Sequence, residues 1–405
     1  MGRAPPAGLG RDRGQTMSAA AGTPTDRLMV ARIVGFAAVV PLALLAAPVL
    51  ARQLTLDRGL SPAQVGVYFL FELGGISLAS FPAAWALRRF AAGRVALIAA
   101  LAFIAGNVAS LGAPSYGALL ALRLLSALAG GVLMVLSMKG AGASADRDRL
   151  FGYWVCGQLV VGALALALLP SLFARLGLGA FFAVLALAMT ALLPLAPGFA
   201  MAETREDQPA ARASGARNGI LFPAVAMAGV MGFYVGLGGC WAYAALIAGQ
   251  AGLDAQAVAN RLAMASLVGI AGAGCAAGLG GRVVRGRALL VGYGLLVFAV
   301  LFLLGQPSMA RFTLAAGLFK FGWTFALPFI LSAVAHRDRT GSMMAATNLV
   351  IGTGNALGPL AAGWIMQTAG AGTMLLFCAG LIAVSLGLVL LVEGGRLSPS
   401  VLGMP

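Results

Sequence analysis

The sequence predicts an all-α membrane protein of twelve transmembrane helices, arranged as two six-helix halves related by a parallel pseudo-two-fold. Three observations carry that expectation. The 405 residues are 60% hydrophobic and only 10% charged, far below the roughly 25% of charged residues in water-soluble chains. Apolar runs of about 20 residues, the length of a helix that crosses a bilayer, recur from residue 28 to residue 392. One half of the chain also repeats the other in register.

The runs fall at approximately 28–50, 63–87, 94–112, 116–138, 150–173, 176–198, 220–248, 256–280, 288–304, 309–335, 342–367 and 371–392. Ahead of them, residues 1–27 are polar and rich in Gly, Pro and Arg, the composition of a disordered tail. Spans 1 to 6 (28–198) form the first bundle and spans 7 to 12 (219–392) the second. The longest connector, 199–218, is polar and helix-breaking and links the two. Residues 393–405 form a second tail. The first apolar run is too long for a cleavable signal and lacks a convincing cleavage site. Small residues let helices approach closely in lipid, where no hydrophobic drive brings them together. With 57 glycines, the chain has many such places, clearest in GVMGFYVG (229–236) and GNALGPLAAG (354–363).

The formal net charge is +15, but the basic residues lie in short clusters between apolar runs, which makes them topology signals rather than a nucleic-acid patch. Of the 27 Lys and Arg, twenty fall on the side that holds both ends of the chain. Five, Arg52, Arg58, Arg175, Arg261 and Arg311, fall on the other, and two lie inside spans. Cytoplasmic connectors hold the Lys/Arg excess, so both termini are expected in the cytoplasm of a cell whose inner (plasma) membrane the chain crosses. One histidine and no Cys/His cluster leave no metal site or catalytic triad. No Gly-rich phosphate loop ends in Lys-Ser or Lys-Thr, which excludes an ATP-driven pump. No catalytic residue, metal or cofactor is expected. Cys156, Cys240, Cys275 and Cys378 lie in apolar runs and read as small buried hydrophobes.

The repeat is specific. LSPAQVGVYF…RRFAAGR, from Leu60 to Arg94, overlays LDAQAVANRL…GRVVRGR, from Leu253 to Arg287, without a gap. Arg89 falls on Arg282, Gly93 on Gly286 and Arg94 on Arg287. LGAPS (111–115) falls on LGQPS (304–308) at the same offset, and after three residues of adjustment QLVVG (158–162) falls on NLVIG (348–352).

Twelve spans, a parallel six-plus-six repeat and a polar mid-chain loop resemble the major facilitator superfamily of secondary transporters. AAWALRRFAAGR keeps Arg89, Gly93 and Arg94 of that family's loop between helices 2 and 3, without its Asp. RLLSALAGG keeps Arg123, Ala127 and Gly131 of its helix 4. GNALGPLAAG in span 11 is similar to a glycine–proline run of the family's proton-driven exporters, with one residue too many and in the repeat-mate of the usual helix. As physics alone, its glycines permit close helix approach and Pro359 frees a carbonyl and bends the helix. The resemblance implies cytoplasmic gate loops at Arg89, Gly93, Arg94, Arg282, Gly286 and Arg287. It also implies a central cavity lined by helices 1, 4, 7 and 10.

Ionisable residues within spans are rare and face the bundle interior, a cavity or one another. Three occur: Glu72 in span 2, Arg123 in span 4 and Lys320 in span 10. At 1.5 Å per residue, Glu72 and Lys320 lie about 14 Å deep, near the middle. Arg123 and Lys320 are expected to bind substrate or to exchange partners with Glu72. Glu72 is the only carboxylate in any span and is the expected proton-coupling site; a permanent ion pair or structural hydrogen bond is the competing role. Tyr234 and Trp241, seven residues apart in span 7, and Trp323, beside Lys320, are expected to line the cavity, with Phe321 and Phe325 around Lys320. Gln158 and its repeat-mate Asn348, with Asn355 two turns on, complete the candidate substrate-binding set.

The function expected is secondary active transport of a small organic molecule by alternating access, as proton-coupled export of a drug-like compound or a secreted metabolite such as a siderophore. Proton-coupled uptake of an anionic metabolite is the alternative. A non-transporting sensor or scaffold would need a large output domain or long connectors, which the sequence lacks. The expected partners are a small-molecule substrate, protons and the lipid bilayer, with no nucleic acid, and the chain is expected to work as a monomer.

Overall fold

The computed structural model describes residues 24–144, 147–199, 221–280, 282–337 and 342–394. The expected tail 1–27 lies outside the described residues up to position 23, as do the 199–218 linker from position 200 and the 393–405 tail from position 395.

Every regular element among the described residues is helical. The first helix, α1, is built from three segments, Pro24–Val39, Leu42–Leu45 and Ala47–Arg58. It runs past the expected end of span 1 and breaks at Val40–Pro41 and at Ala46, because Pro41 and Pro48 have no N–H to donate into the ladder. The second, α2, comprises Pro62–Leu78 and Ser80–Leu87; then follow α3 (Ala92–Leu111), α4 (Tyr116–Gly142), α5 (Arg147–Leu176) and α6 (Gly179–Leu192, continued by a 3-10 turn over Leu193–Gly198). The second half holds α7 (Leu221–Gln250), α8 (Ala255–Leu279), α9 (Arg285–Leu301) and α10 (Met309–Arg337). Helices α11 and α12 share the run Ser342–Glu393 and part at Gly370, whose φ of 84° is non-helical. Among the described residues nine helices are long and apolar enough to span a bilayer unbroken, the last covering both α11 and α12. With the interrupted α1 and the 17-residue α9, the architecture is consistent with the twelve spans expected.

The polar positions that make the repeat visible are helix caps. Ser61 opens α2 with a capping box, its hydroxyl accepting from Gln64 N–H while the Gln64 side chain accepts from Ser61 N–H. Its repeat-mate Asp254 caps α8 by accepting from Ala257 N–H. Ser115 caps α4, and its mate Ser308 accepts from Arg311 N–H. Gly59 and Gly252, also mates, both take the left-handed conformation that ends a helix before these caps.

Glycines set how closely the helices meet. Gly75 and Gly131 of α2 and α4 seat these helices against each other, and Gly272 does the same for α8 on the Phe321 backbone of α10. In α11, Gly354 faces Tyr234 and Met231 of α7, and Gly358 faces Val235, Gly238 and Gly239. A methyl group added at Gly358 would lie 2.6 Å from the Val235 carbonyl oxygen and 2.8 Å from the Gly239 nitrogen. Neither atom can rotate away. Gly358→Ala is therefore expected to lower stability by the roughly 1–3 kcal/mol of an overpacked core, read as a lower unfolding temperature of the purified protein. An unchanged temperature would refute the tight α7–α11 contact.

Hydrogen bonds tie the two halves together. Among the described residues, five hydrogen bonds cross between them: Ala63 N–H to Gln367, Ser171 to Gln256, Gln256 to the Ala167 carbonyl, Tyr243 to the Pro62 carbonyl and Trp241 to the Leu44 carbonyl. All lie from mid-depth to the end opposite the chain termini. Helix α2 follows α11 from Pro62, against Gly363, to Ser77, against Gly352. Beyond Ser77 its side chains Phe81 (69% exposed) and Trp85 are exposed.

Candidate functional site

The three ionisable side chains inside the spans separate into two sites, one in each half. In the first, Glu72 of α2 and Arg123 of α4 are 2% and 0% exposed, and Glu72 Oε2 lies 3.7 Å from Arg123 Nη1. That is ion-pair distance without a hydrogen bond, and Oε2 has no hydrogen-bond partner among the described residues. The guanidinium is held instead by α3. Its Nη1 donates to Asn107 (3.0 Å), and its Nη2 to Ser110 (2.7 Å) and the Gly106 carbonyl (3.1 Å). Its plane covers the Phe182 ring of α6 at 4.6 Å. Asn107 in turn donates to Ser126 of α4. Arg123 therefore points into its own half, toward α3 and α6, and meets Glu72 rather than Lys320.

Sequence reasoning did not single out Tyr68, Ser110, Ser126 or Phe182 of this cluster. Tyr68 lies one turn before Glu72 on α2, its buried hydroxyl beside Glu72 and Arg123. The signal was the i, i+4 spacing of Tyr68 and Glu72 and the i, i+3 spacing of Asn107 and Ser110, which put each pair on one helix face.

The second site is an aromatic cage. Lys320 of α10 is 4% exposed. Its Nζ lies 3.6 Å from the centre of the Trp241 ring of α7 and 4.3 Å from that of Trp323, one turn along its own helix. Phe319 stacks on Trp241 and meets Trp323 edge-on. The Trp323 side chain lies within hydrogen-bonding reach of the Tyr234 hydroxyl, and Tyr234 packs on Gly354, next to Asn355. The Trp241 indole donates to the Leu44 carbonyl at 3.0 Å. That carbonyl lies in the broken stretch of α1, so the break forms the near wall of the cage. Cation–π contact is worth roughly 0.5–2 kcal/mol per ring, while a buried charge costs several kcal/mol. The indoles soften the burial of the ammonium without satisfying its N–H donors.

Of the expected substrate-binding residues, the structure brings Lys320, Tyr234, Trp241 and Trp323 to one place, while the Asn355 backbone packs on Gly238 of α7. It does not bring Arg123 there. Gln158 donates to the Ala37 carbonyl of α1, and Asn348 is exposed on α11. Phe321 and Phe325 do not surround Lys320; they stack on each other at 5.8 Å, against α8 and α9. The reading of the cysteines also needs correction. Only Cys240 and Cys378 are buried, whereas Cys156 and Cys275 are exposed, on faces of α5 and α8 shared with exposed Val155, Val160, Met264 and Val268.

At the expected gate loops, the Arg89 guanidinium covers the Trp85 ring at 4.9 Å, and Arg94 and Arg287 are exposed. Arg282 donates to the Gly278 carbonyl. Gly93 has a packing reason, since any side chain there would strike the Pro197 carbonyl; Gly286 meets only Leu390 at 3.8 Å. The tie between loop and bundle in the second half comes from Arg285, which pairs with Glu393 through contacts of 2.7 and 3.0 Å.

Two helical halves, tied by a hydrogen-bonded seam and carrying buried charge in their interior, have the architecture of a secondary transporter. The sequence profile of the Major Facilitator Superfamily matches residues 28–359, and the chain belongs to that superfamily. Its fold is similar to that of the POT family transporter PepTSo, with a TM-score of 0.71 at 13% identity over 91% of this chain and 98% of that one. It is likewise similar to a D-xylose-proton symporter (TM-score 0.69, 14% identity, 94% and 99% covered) and to the nucleoside transporter NupG (0.68, 12%, 90% and 98%). No curated protein sequence matches the chain. The protein is thus a multi-pass membrane transporter of small molecules.

Proposed function

We propose that the chain exports a small organic molecule across the inner membrane by alternating access coupled to protons, with both termini in the cytoplasm, working as a monomer. The observation that supports this reading is the hydrogen-bonded seam between the halves. The Lys/Arg excess assigns the termini end to the cytoplasm, so the five bonds tie the halves together on the outer side. Substrate would meet the Lys320 cage from the cytoplasm. Glu72, buried near mid-depth and not hydrogen-bonded to Arg123, is the group that would take and release the proton. The fold accommodates such coupling, as a proton symporter shares it. Gln158, Asn348 and Arg123 would act through helix packing or as the cycle rearranges, and the Arg89–Arg94 and Arg282–Arg287 loops would gate the inner side.

The test is made in cells and works whatever the substrate. A strain lacking the chain is expected to retain a metabolite that re-expression clears. Ala63 and Gln367 meet across the seam (3.1 Å, N to Oε1). Cysteines placed at both, with Cys156 and Cys275 changed to Ser, should restore clearance when free and abolish it when cross-linked. Clearance by the cross-linked protein would sink alternating access. A metabolite depleted rather than retained in the deletion strain would replace export by uptake.

A further inference from the structure

Among the described residues Lys320 has no counter-ion: no carboxylate lies within ion-pair distance of it, and its Nζ makes no hydrogen bond. Glu72, the one carboxylate at comparable depth, lies against Arg123 in the other half. The two indoles cover the ammonium on two sides, but an ammonium has three donors, and ring faces give none of them a lone-pair acceptor. A charge kept buried in this way is poised for an anion that arrives and leaves.

The geometry points to a small organic monocarboxylate with an apolar body as the ligand of this cage. Its carboxylate would lie on the Lys320 ammonium and its body along Trp323 and Tyr234. The inference rests on the transporter reading and adds the chemical class of the substrate. One negative charge is specified because one cation is unpaired. The other buried cation, Arg123, is fully enclosed and already holds Glu72, Asn107 and Ser110, so a second charge on the ligand would find no partner. A cationic ligand is disfavoured because the centre of the aromatic box is already filled by an ammonium. An apolar body is specified because Trp241, Trp323, Phe319 and Tyr234 offer ring surface.

The experiment measures binding to the full chain in lipid nanodiscs by calorimetry, with no gradient. The probes are matched sets: benzoate, benzamide and benzylamine; 1-naphthoate with its amide and amine; hexanoate with its amide and amine; and phthalate as the dianion. Each set's acid is expected to bind at least about tenfold more tightly than its amide, since a charge-assisted hydrogen bond is roughly twice as strong as a neutral one. The amines should be weaker still, and phthalate weaker than benzoate. Lys320→Gln should lose the acid preference, and Lys320→Arg should keep part of it, because the guanidinium is a planar fork rather than a point charge. Both variants are first checked for monodispersity and unfolding temperature; if Lys320→Gln does not fold, the ranking on the native chain decides alone. Four results would each overturn the inference: an amide or amine binding as tightly as its acid, phthalate binding more tightly than benzoate, an undiminished acid preference in Lys320→Gln, or no acid of the series binding at millimolar concentration. None of these touches alternating access, which the Ala63–Gln367 cross-link reads separately.

Discussion

Glu72→Gln is expected to reduce proton-driven transport to the level of passive leak while leaving substrate exchange in place. Glutamine keeps the shape of the side chain and cannot ionise. If Glu72 carries the proton, the loaded and empty carriers can still reorient, but no gradient can be harvested. The structure makes this a sharp test, because Glu72 is deeply buried and 3.7 Å from Arg123 without a hydrogen bond to it. A carboxylate locked in a bidentate pair with arginine would be short and doubly bonded; this one is neither. The measurement is gradient-driven movement, in proteoliposomes, of whatever metabolite the deletion strain retains, set against counterflow in the same vesicles. Driven transport at the native rate in Glu72→Gln would show that Glu72 is a structural partner of Arg123 and that the proton travels elsewhere.

The largest loss of stability is expected from Arg123→Met. The substitution removes the cation beside Glu72 and strips Asn107, Ser110 and the Gly106 carbonyl of a shared donor. Removing one partner of a buried pair costs roughly 3–5 kcal/mol, because the other is left uncompensated. Adding Glu72→Gln to Arg123→Met should recover part of that loss, since a neutral amide needs no counter-charge; such coupling between touching residues is what a double-mutant cycle detects. Unfolding of the purified variants gives the comparison. A single-mutant loss within about 0.5 kcal/mol, the range of ordinary surface changes, would mean that Arg123 does not hold the charge of Glu72.

Much of the fold was legible because a bilayer restricts the choices. Backbone in hydrocarbon must satisfy its own hydrogen bonds, so an apolar run of the right length has to be a helix. The repeat was legible for a local reason: Ser61 and Asp254, and Ser115 and Ser308, are caps that each half needs at the same point. The break in α1 was less visible, since Pro41 lies within an unbroken apolar run and hydropathy does not register a missing N–H. The candidate site was legible in kind and only partly in partnership. Buried charge marked Glu72, Arg123 and Lys320 correctly as interior residues. Which of them meet depends on helix rotation, and rotation is fixed by small-residue contacts such as Gly75 on Ala127 and Gly272 on Phe321. Those contacts carry no charge signal. Phe321 and Phe325 show the same limit, because on a helix they point about 100° and about 140° away from Lys320.

The seam has a further consequence. Among the described residues no ion pair crosses it. Its five bonds run between amides, hydroxyls, an indole and main-chain carbonyls, and the Tyr243 hydroxyl, with one hydrogen, lies 2.8 Å from the Pro62 oxygen and 3.1 Å from that of Pro359. At about 1 kcal/mol net for each neutral bond, the closure amounts to about 5 kcal/mol, the scale on which two conformers of one protein interconvert. Dissolved electrolyte has little to screen in such a contact. Water molecules replacing each partner in turn would part it, so the pace of reorientation at this end is expected to follow wetting of the seam rather than ionic strength.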